Sequence, residues 1–428
     1  MKSSINAVKG TRDFYPEQML VRNWLYSIMR RISESFGYQE FDGPFLEYVD
    51  LYAAKSGDEL VKEQSFVFQD RGGDWVTLRP ELTPSLARMV AKKQNLLVYP
   101  LRWWSFGPMW RYERPQKGRS REFYQWNIDL IGVESPEADA ELVGIAGTFL
   151  HETGLTPQEV QILVNNRRLV DSELKALNIH NEQKFHVFRL IDRYDKMSAA
   201  NWESNAMEIG LNKNQINLLL QMINDDTLWQ KSEELCQFFA AIEVLGVREY
   251  VHYSPRIIRG LDYYTGTVFE AHDRDGDFRA FLGGGRYDNL VADVGGEPLS
   301  GIGFAMGDVV TTLVLEKFKH IPPGDRLTKP SILVTVFDEK SLLPTIQLAS
   351  ELRRNNLNVI WYPRAAKLEK QLKYANQMGF PLAIIWGPDE QAVGKITVKD
   401  LRARLQHTIP HTDLLKTLRN ILAEHNAS

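Results

Sequence analysis

The sequence predicts a mixed α/β protein built from two or three domains, and three observations lead to that prediction. Residues 38–135 are rich in strand and turn patterns and in clustered aromatic side chains. Residues 168–248 have helical periodicity and little strand signal, which indicates a helical insertion. After residue 330, strand patterns alternate with helical ones, which is typical of a mostly parallel sheet covered by helices.

The first element is a predicted helix. Its apolar residues recur every four positions, at Leu20, Trp24, Ile28, Ile32 and Phe36. This spacing places them on one helix face, and Gly37 is expected to end the helix. Strand patterns begin at residue 38, and after the helical insertion they resume over 251–287.

A domain boundary is predicted at HIPPGDRLTKP (320–330), because three prolines and a glycine separate two periodic regions. We therefore expect a first domain over 1–322, a linker over 323–330 and a second domain over 331–428. Strands of the second domain are expected at 331–337, 358–361 and 382–386, with helical patterns through Arg354 and over 367–378.

The net charge of the chain shows that it is not a polycationic protein of the histone type. Its 428 residues include 51 Lys+Arg and 55 Asp+Glu, a formal net charge of −4, so nucleic-acid binding requires a local patch. Residues 331–428 carry 13 Lys/Arg and 9 Asp/Glu, a net charge of +4, whereas the preceding residues carry −8. In this basic region Trp361 and Tyr362 end a strand beside Arg364, which makes it a candidate for such a local patch, with contacts to phosphates and unstacked bases.

The composition also bears on compartment and metal content. Cys236 is the one cysteine, which excludes an intramolecular disulfide, a cysteine zinc site and an iron–sulfur centre. The nine histidines show no metal-ligand spacing, so we expect no metal-binding residues. The N-terminus has no apolar run, and no stretch approaches the ~18 apolar residues of a membrane span, so we expect a cytoplasmic protein without a signal peptide.

The first candidate site is a basic segment, Arg111–Arg121, in which five cations and one acid surround Pro115 and Gly118. The flanking patterns predict a loop between two strands, and the arginine fork suits phosphate because it bonds two oxygens at once. The alternative is a solvated basic turn. The flanks argue against it, since they would bury Arg111 and Glu113, and a buried charge needs a partner or a ligand.

A second candidate is the segment Leu78–Ser85, where Pro80 and Pro84 bracket Glu81 and Thr83. A carboxylate and a hydroxyl two residues apart point to the same side of an extended segment, where they can hold an ammonium group. On this segment alone, a strand end followed by a helix that starts at Pro84 is the favoured interpretation.

Three further candidates contain glycine. In the segment 259–266, Arg259 beside Tyr263 and Tyr264 fits the rim of an anionic, aromatic ligand site, and GGGRYD (283–288) lets the backbone approach a ligand. For both, a tight turn or a flexible hairpin is the alternative. GIGFAMG (301–307) opens no βαβ unit and is not a dinucleotide fingerprint. Close packing of a strand against the following helix explains its glycines.

Together these segments resemble the histidyl-tRNA synthetases, a family of class II aminoacyl-tRNA synthetases. The resemblance runs in order over most of residues 8–310. It rests on KGTRDFYP (9–16), FGYQEFDGP (36–44) at motif 1, Arg111-x-Glu113 with REFYQ at motif 2, and IIRGLDYYTGTVFE (257–270) with GGGRYD, which are similar to segments peculiar to the histidine enzymes. It implies an α+β catalytic domain with an antiparallel sheet, a C-terminal anticodon-binding domain and a homodimer.

The resemblance further implies the function. A histidine–tRNA ligase uses ATP, with Mg²⁺, to activate L-histidine to histidyl-adenylate and transfers the histidine to the 3′ end of tRNA(His). The attacking carboxylate is already ionised, so the first step needs positioning and cationic stabilisation rather than a general base. One alternative is a non-catalytic relative, such as the regulatory subunit of ATP phosphoribosyltransferase, which typically lacks the anticodon domain. Another is a tRNA-binding scaffold without chemistry.

The resemblance implies roles for individual residues. Arg111 and Arg259 are the expected catalytic residues, with Arg111 on the ATP α-phosphate and Arg259 between that phosphate and the histidine carboxylate. The remaining ATP-binding residues are Glu113, on the adenine amino group, and Arg119 and Arg121, near the outer phosphates or the tRNA acceptor end. The remaining histidine-binding residues are Glu81, Thr83 and Gln125 for the α-amino group, Asp129, Tyr264 and Tyr287 for the imidazole, and Tyr263.

One position departs from the family pattern. Class II motif 3 usually ends in Glu-Arg after its glycines, and that arginine lies against the ATP γ-phosphate, whereas Val310 stands here at the expected position. Either the adenylation site is weakened, which favours the regulatory relative, or another cation such as Arg119 or Arg121 takes the role and Asp308 helps to organise metal. The intact ligand residues favour an active enzyme.

Overall fold

The computed structural model describes residues 5–53, 64–258, 263–328 and 330–427. The chain divides into two units at the boundary between Ile321 and Pro322, and each unit has its own hydrophobic core. The segment predicted as a linker contains a short helix, Gly324–Leu327. Among the described helices none is long and apolar enough to cross a membrane.

The main sheet of the first unit is mostly antiparallel. The strands of this unit are β1 (Gln39–Glu40), β2 (Leu46–Tyr48), β3 (Phe66–Gln69), β4 (Trp75–Leu78), β5 (Leu101–Trp110), β6 (Glu122–Ile131), β7 (Val160–Asn166), β8 (Val251–Tyr253), β9 (Thr267–Asp273), β10 (Leu282–Tyr287) and β11 (Gly301–Gly307). The main sheet has the order β1-β5-β6-β11-β10-β9-β7-β8 over the described residues. The pairs β1–β5 and β7–β8 are parallel and the others antiparallel. The predicted antiparallel class II sheet is therefore confirmed.

Helices pack against this sheet on both of its faces. The helices of the unit are α1 (Pro16–Ser35), α2 (Asp50–Ala53), α3 (Thr83–Lys93), α4 (Pro136–Glu152), α5 (Arg167–Ala176), α6 (Asn181–Asp192), α7 (Ala199–Glu208), α8 (Lys213–Ile223), α9 (Glu233–Val244), α10 (Leu290–Asp293) and α11 (Asp308–Lys317). The helix α1 lies where its apolar spacing predicts, and Gly37 follows it with φ +81°. Residues 38–135 are not strands and turns throughout, since α3 begins at the Pro84 start signal.

The strands β5 and β6 alternate between two environments, because successive side chains point to opposite faces of a sheet. Trp104, Trp126 and Ile128 are fully buried in the core together with α1 and α4. The intervening residues of β6 are mostly polar and face away from that core. This second face of the sheet therefore carries the candidate site.

The helical insertion occupies the chain between β7 and β8, where α5 to α9 follow one another. Side chains cap the starts of several of these helices. Asn166 accepts from the backbone of α5, Ser198 from α7, and Ser232 from α9. Each cap satisfies amide groups that a helix start leaves unpaired, so the local sequence specifies these boundaries.

A separate antiparallel sheet of the described residues has the order β2-β4-β3. Its register places Leu46 and Tyr48 beside Leu78 and Val76, and these beside Phe66 and Phe68. All six side chains therefore lie on one face, and none of them is fully buried. Contiguous apolar surface of this kind marks an interaction site.

The second unit has a five-stranded sheet in its described part. Its strands are β12 (Ser331–Val334), β13 (Asn358–Trp361), β14 (Leu382–Ile385), β15 (Lys395–Asp400) and β16 (Leu405–Pro410), in the order β13-β12-β14-β15-β16. Its helices are α12 (Gly324–Leu327), α13 (Glu339–Arg354), α14 (Leu368–Gln377), α15 (Pro388–Ala392) and α16 (Leu414–Ala427). The three predicted strands are parallel, whereas β15 and β16 add antiparallel pairs that the sequence reading missed.

The two aromatic side chains at the end of β13 differ in exposure. Tyr362 is 8% exposed and packs edge-on against Tyr374, whereas Trp361 is partly buried and packs against the core beneath the Arg353 guanidinium. Tyr362 is therefore not available to stack on a base as it stands, and Trp361 is only partly exposed. Arg364, by contrast, is exposed, as is the positive charge that it adds.

Candidate active site

A cavity of about 200 Å³ lies on the sheet face opposite α4, over β6, β11 and β10. Its lining includes seven of the residues expected to bind histidine, namely Glu81, Thr83, Gln125, Asp129, Tyr263, Tyr264 and Tyr287. Arg111 lines the same cavity. Residues from distant parts of the sequence thus meet where the sheet pairs β6 with β11 and β11 with β10.

The register of the sheet explains why the cavity is open. Along β6 the alternate residues Gln125, Asn127 and Asp129 point into it. Their partners on β11 are Gly307, Ala305 and Gly303. Because these partners carry little or no side chain, the polar groups of β6 stand beside empty space rather than beside packed neighbours.

The glycines of GIGFAMG make room for the site itself. A Cβ on Gly303 would overlap the Asp129 carboxylate, and a Cβ on Gly301 would lie 2.5 Å from the Tyr287 ring. The expected reason, close packing of the strand against α11, is therefore wrong for these two positions. Similarly, Gly285 leaves space for the Tyr264 ring, so GGGRYD is a strand that accommodates tyrosines rather than a flexible hairpin.

Asp129 is the buried carboxylate of the cavity, at 3% exposure. The Tyr287 hydroxyl donates a hydrogen bond to Asp129 Oδ1 at 2.7 Å. Burial raises the pKa of Asp129 to about 7, and the Tyr287 hydrogen bond opposes that shift. Burial and the neighbouring carboxylate in turn hold the pKa of Tyr287 well above its ordinary value. Tyr287 is therefore a fixed donor and Asp129 an acceptor that titrates near neutrality.

Glu81 and Thr83 reach the cavity, although the segment that carries them is not extended. Leu82, between them, has helical dihedral angles, and Thr83 is the first residue of α3. The segment is held in place by Arg79, which is fully buried, donates to Asp42 and to the carbonyl of Pro108, and fits beside Gly107. The predicted helix start is therefore confirmed, and Glu81 and Thr83 both line the cavity.

Gln125 supplies an unsatisfied acceptor beside this pair. Its Oε1 atom is buried and has no hydrogen-bond partner among the described residues. A buried acceptor without a donor is costly, which makes such an atom a marker of a missing ligand group. Together with the Glu81 carboxylate and the Thr83 hydroxyl it forms an acceptor-rich end of the cavity.

Arg111 brings a positive charge and hydrogen-bond donors to the cavity, in contrast to the acceptors of Glu81, Thr83 and Gln125. Its Nε atom donates to the carbonyl of Pro80 at 3.0 Å, and its guanidinium lies over the Phe123 ring at 5.4 Å. The backbone contact fixes the side chain while the remaining N–H groups make no hydrogen bond with any described residue. The cavity therefore has one acceptor-rich end and one cationic side.

The other predicted ATP-binding residues are placed differently. Glu113, Arg119 and Arg121 do not line the cavity, because Arg119 pairs with Glu113 at 3.3 Å and Arg121 lies over the Tyr112 ring at 4.1 Å. Asp308 accepts from Arg12 at 2.8 Å and from the Tyr124 amide at 2.8 Å, so it is already engaged. Arg259 lies outside the described residues.

The cavity residues that the sequence reading missed include Ser120, Phe123, Asn127 and Arg279. Phe123 and Asn127 share the face of β6 with Gln125 and Asp129, so their two-residue spacing was an available signal. Arg279 lies between β9 and β10, in a segment without periodicity.

We predict that Gly303→Ala destabilises the fold by about 1–3 kcal/mol, because the added Cβ displaces Asp129 or bends β11. Gly307→Ala in the same strand is the matched control, since a Cβ there meets nothing within 4 Å. Urea denaturation of both variants measures the effect. Equal stability of the two variants would show that the Asp129 side chain does not need the glycine.

We predict that Asp129→Asn makes the fold more stable at pH 8 than the natural chain. The folded-state pKa of Asp129, about 7, exceeds the ordinary value of 3.8. Between these two pH values the folded chain keeps a proton on Asp129 that the unfolded chain has lost, and this proton stabilises the folded state relative to pH 8. That stabilisation disappears as the pH rises through 7. The advantage of the variant should grow by about 1.4 kcal/mol per pH unit between pH 4 and 7, as measured by denaturation at several pH values. An advantage independent of pH would contradict the shifted pKa.

Comparison with known proteins agrees with this site. A family model described as histidyl-tRNA synthetase matches residues 10–308, and one described as anticodon binding domain matches residues 332–421. The histidine–tRNA ligase of Leptospira biflexa is 35% identical over 97% of this chain and 98% of its own length, and that of Thermoplasma volcanium is 36% identical over the same shares. The crystal structure of histidyl-tRNA synthetase from Nostoc sp. PCC 7120 matches the fold with a TM-score of 0.83, at 24% identity over 98% of this chain and all of that chain.

These matches decide between the alternatives. A regulatory relative typically lacks the anticodon domain, whereas the second unit of this chain matches one over most of its length. The ligases match the chain from end to end, and the expected histidine-binding residues that the structure describes meet in one cavity. The chain therefore belongs to the histidyl-tRNA synthetase family and is a ligase that uses ATP to activate histidine and charge tRNA.

Proposed function

We propose that histidine binds at the acceptor-rich end of the cavity, that ATP binds along its cationic side, and that histidyl-adenylate forms between them. The observation that carries this proposal is the buried Gln125 Oε1 atom, which has no partner among the described residues and belongs to the cavity that Glu81, Thr83 and Asp129 also line. An α-ammonium group supplies a donor for Gln125 Oε1 and can also donate to Glu81 and Thr83. The carboxylate of the same histidine then faces Arg111.

Asp129 and Tyr287 select the imidazole in this proposal. Tyr287 occupies Oδ1 of Asp129, which leaves Oδ2 to accept an imidazole N–H, and Tyr263 and Tyr264 add aromatic walls. A side chain without a ring N–H leaves the buried carboxylate unpaired. Such an unpaired group gives strong discrimination, because the cost of desolvation is not recovered.

The first reaction step is attack of the histidine carboxylate on the α-phosphorus of ATP, with pyrophosphate as the leaving group. No side chain has to remove a proton, because the carboxylate is ionised at neutral pH. Arg111 stabilises the charge that develops on the phosphate oxygens, and the cavity holds the two reactants in line. We assign Arg259 the position between the carboxylate and the α-phosphate, a role that rests on the family resemblance.

The second step transfers histidine to the terminal ribose of tRNA(His). We propose that the basic loop over residues 111–121 contacts the acceptor end of this tRNA, since Arg119 is largely exposed and Arg121 flanks the cavity rim. Glu113 then positions this loop through its ion pair with Arg119, in addition to any contact with adenine.

Mg²⁺ enters with ATP in this proposal rather than through a preformed protein site. The carboxylates nearest to the basic loop, Glu113 and Asp308, are engaged by Arg119 and Arg12. They do not form a divalent-metal site as they stand, so the phosphates themselves are its expected ligands.

We further propose that the chain is a homodimer that pairs through the β2-β4-β3 sheet. Six apolar side chains share one face of that sheet, with Tyr48 60% exposed and Phe68 43% exposed. A matching face on a second copy would remove this surface from water. Analytical ultracentrifugation tests the proposal, and a monomer at micromolar concentration would contradict it.

For the second unit we propose binding to the anticodon region of tRNA(His) through its net positive charge. The parallel strands β12, β13 and β14 end at one edge, and Arg364 and Lys367 follow β13 there as exposed cations. The buried position of Tyr362 and the partial burial of Trp361 leave phosphate contact as the main source of affinity. A tRNA substrate and the single cysteine are the grounds on which we place the protein in the cytoplasm.

The reaction is tested by ATP–pyrophosphate exchange with each amino acid in turn. We expect the natural protein to catalyse exchange with histidine alone. We expect Gln125→Met to raise the KM for histidine about 10- to 100-fold, because the acceptor for the α-ammonium group is lost, while the KM for ATP changes less than about two-fold. Gln237→Met, on the exposed surface of α9, is the matched control. Folded natural protein that exchanges with no amino acid would contradict the proposed function.

For the second unit we predict that the pair Arg364→Ala and Lys367→Ala weakens tRNA(His) binding and reduces its salt dependence. Each lost phosphate contact lowers the slope of log affinity against log salt by about one. Arg402→Ala lies in the β15–β16 turn at the opposite edge of the sheet and serves as the control. Equal loss of affinity in the control would show that position in the sheet does not matter.

A further inference from the structure

The corner of the cavity beneath the basic loop has lost the cation that motif 3 usually provides. Val310, at that position in α11, is 2% exposed and lines the cavity. A Cβ on Gly118 would lie 3.3 Å from Val310 Cγ2, so the turn of the basic loop closes directly over the valine. The start of α11 therefore brings no positive charge to this corner.

The cations that were expected to compensate are engaged elsewhere. Arg119 forms an ion pair with Glu113, and Arg121 donates from Nε to the Glu113 carbonyl at 3.2 Å while it stacks on Tyr112. Arg12 pairs with Asp308. None of these three side chains lines the cavity.

Arg279 lines the same corner, together with Arg111, Gly118 and Val310. It forms no hydrogen bond or ion pair with any residue that the structure describes. Burial lowers its pKa, the charge of Glu113 opposes that shift, and the charges of Arg119 and Arg111 add to it. Positive groups that converge without a counter-ion form a site for an anion.

The hairpin between β9 and β10 fixes the approach of Arg279. Lys317, from α11, pairs with Asp273 at 2.9 Å, Asp275 at 2.7 Å and Asp277 at 2.8 Å. This places an ammonium group at the centre of the three carboxylates, where a metal ion would otherwise fit. Beside them, the Lys117 ammonium of the basic loop lies 4.7 Å from the centre of the Phe278 ring. The residue next to Arg279 is thus in contact with the loop that closes over Val310.

We propose that Arg279 binds the terminal phosphates of ATP and replaces the arginine that position 310 lacks. This inference rests on the proposed function, since it takes the cavity to be the ATP site. The planar fork of an arginine spans two phosphate oxygens, and its side chain enters from β10 rather than from α11. The Lys317 cluster positions the hairpin and touches no phosphate.

The test compares three ligands that differ in their phosphates. Titration calorimetry with ATP, inorganic pyrophosphate and AMP is performed on the natural chain, Arg279→Ala and Arg279→Lys. We expect Arg279→Ala to weaken ATP and pyrophosphate about 10- to 100-fold and AMP less than two-fold, and Arg279→Lys to recover part of the loss. The KM for histidine in exchange assays should stay within two-fold of the natural value.

Arg274→Ala is the matched control, because Arg274 lies on the same hairpin but contacts Pro157 and His252 outside the cavity. It should leave the affinity for all three ligands unchanged. Unchanged ATP affinity in folded Arg279→Ala, or an equal loss for AMP, would overturn the assignment to the terminal phosphates. Failure of the proposed function is a separate result, namely natural chain that shows no histidine-dependent exchange.

Discussion

The site depends on one constraint, the near absence of side-chain volume on the strands beside β6. Gly303, Ala305 and Gly307 of β11 stand opposite Asp129, Asn127 and Gln125, and Gly285 and Gly283 of β10 continue the same rows. A cavity in a sheet face exists only where neighbouring strands leave it unfilled, because protein interiors otherwise pack closely. The glycines thus determine where the cavity lies, although none of them offers a side chain for recognition.

The sheet face that lines the cavity also holds a buried carboxylate, and this carboxylate lowers the stability of the fold. Asp129 is buried against the sheet, and its ionised form is destabilised until a donor arrives. Tyr287 meets part of that need, and in the proposed site an imidazole N–H meets the rest. In that proposal, selectivity for histidine and the reduced stability of the empty site have one physical origin, the unmet hydrogen-bonding capacity of a desolvated anion. Neighbouring Arg286, buried and paired with Asp139, anchors β10 so that Tyr287 keeps its position.

The sequence was sufficient for the parts of the fold that follow from local pattern. The motifs identified Glu81, Gln125 and Tyr287 as site residues, and the period-two alternation along β6 would also have identified Asn127. The sequence was insufficient where the position of a residue depends on which strands pair in the folded chain. Arg279 reaches the cavity only because β10 pairs with both β9 and β11. The hairpin that carries Arg279 has no periodic pattern from which these pairings could be predicted. Likewise, the burial of Tyr362 follows from the helix packed against its strand, which a strand-end pattern does not reveal.

The two ends of the cavity consequently differ in how much change they tolerate. At the proposed histidine end, Asp129 fits against Gly303 with no spare volume. A larger residue at position 303 would therefore displace the Asp129 side chain. At the phosphate end the requirement is for positive charge near a diffuse anion, and charge acts over several ångströms from any direction. A valine at position 310 is therefore compatible with ATP chemistry provided that a hairpin delivers the guanidinium instead. The Lys317–aspartate cluster ties that hairpin to α11, the helix in which Val310 stands at the position of the motif 3 arginine.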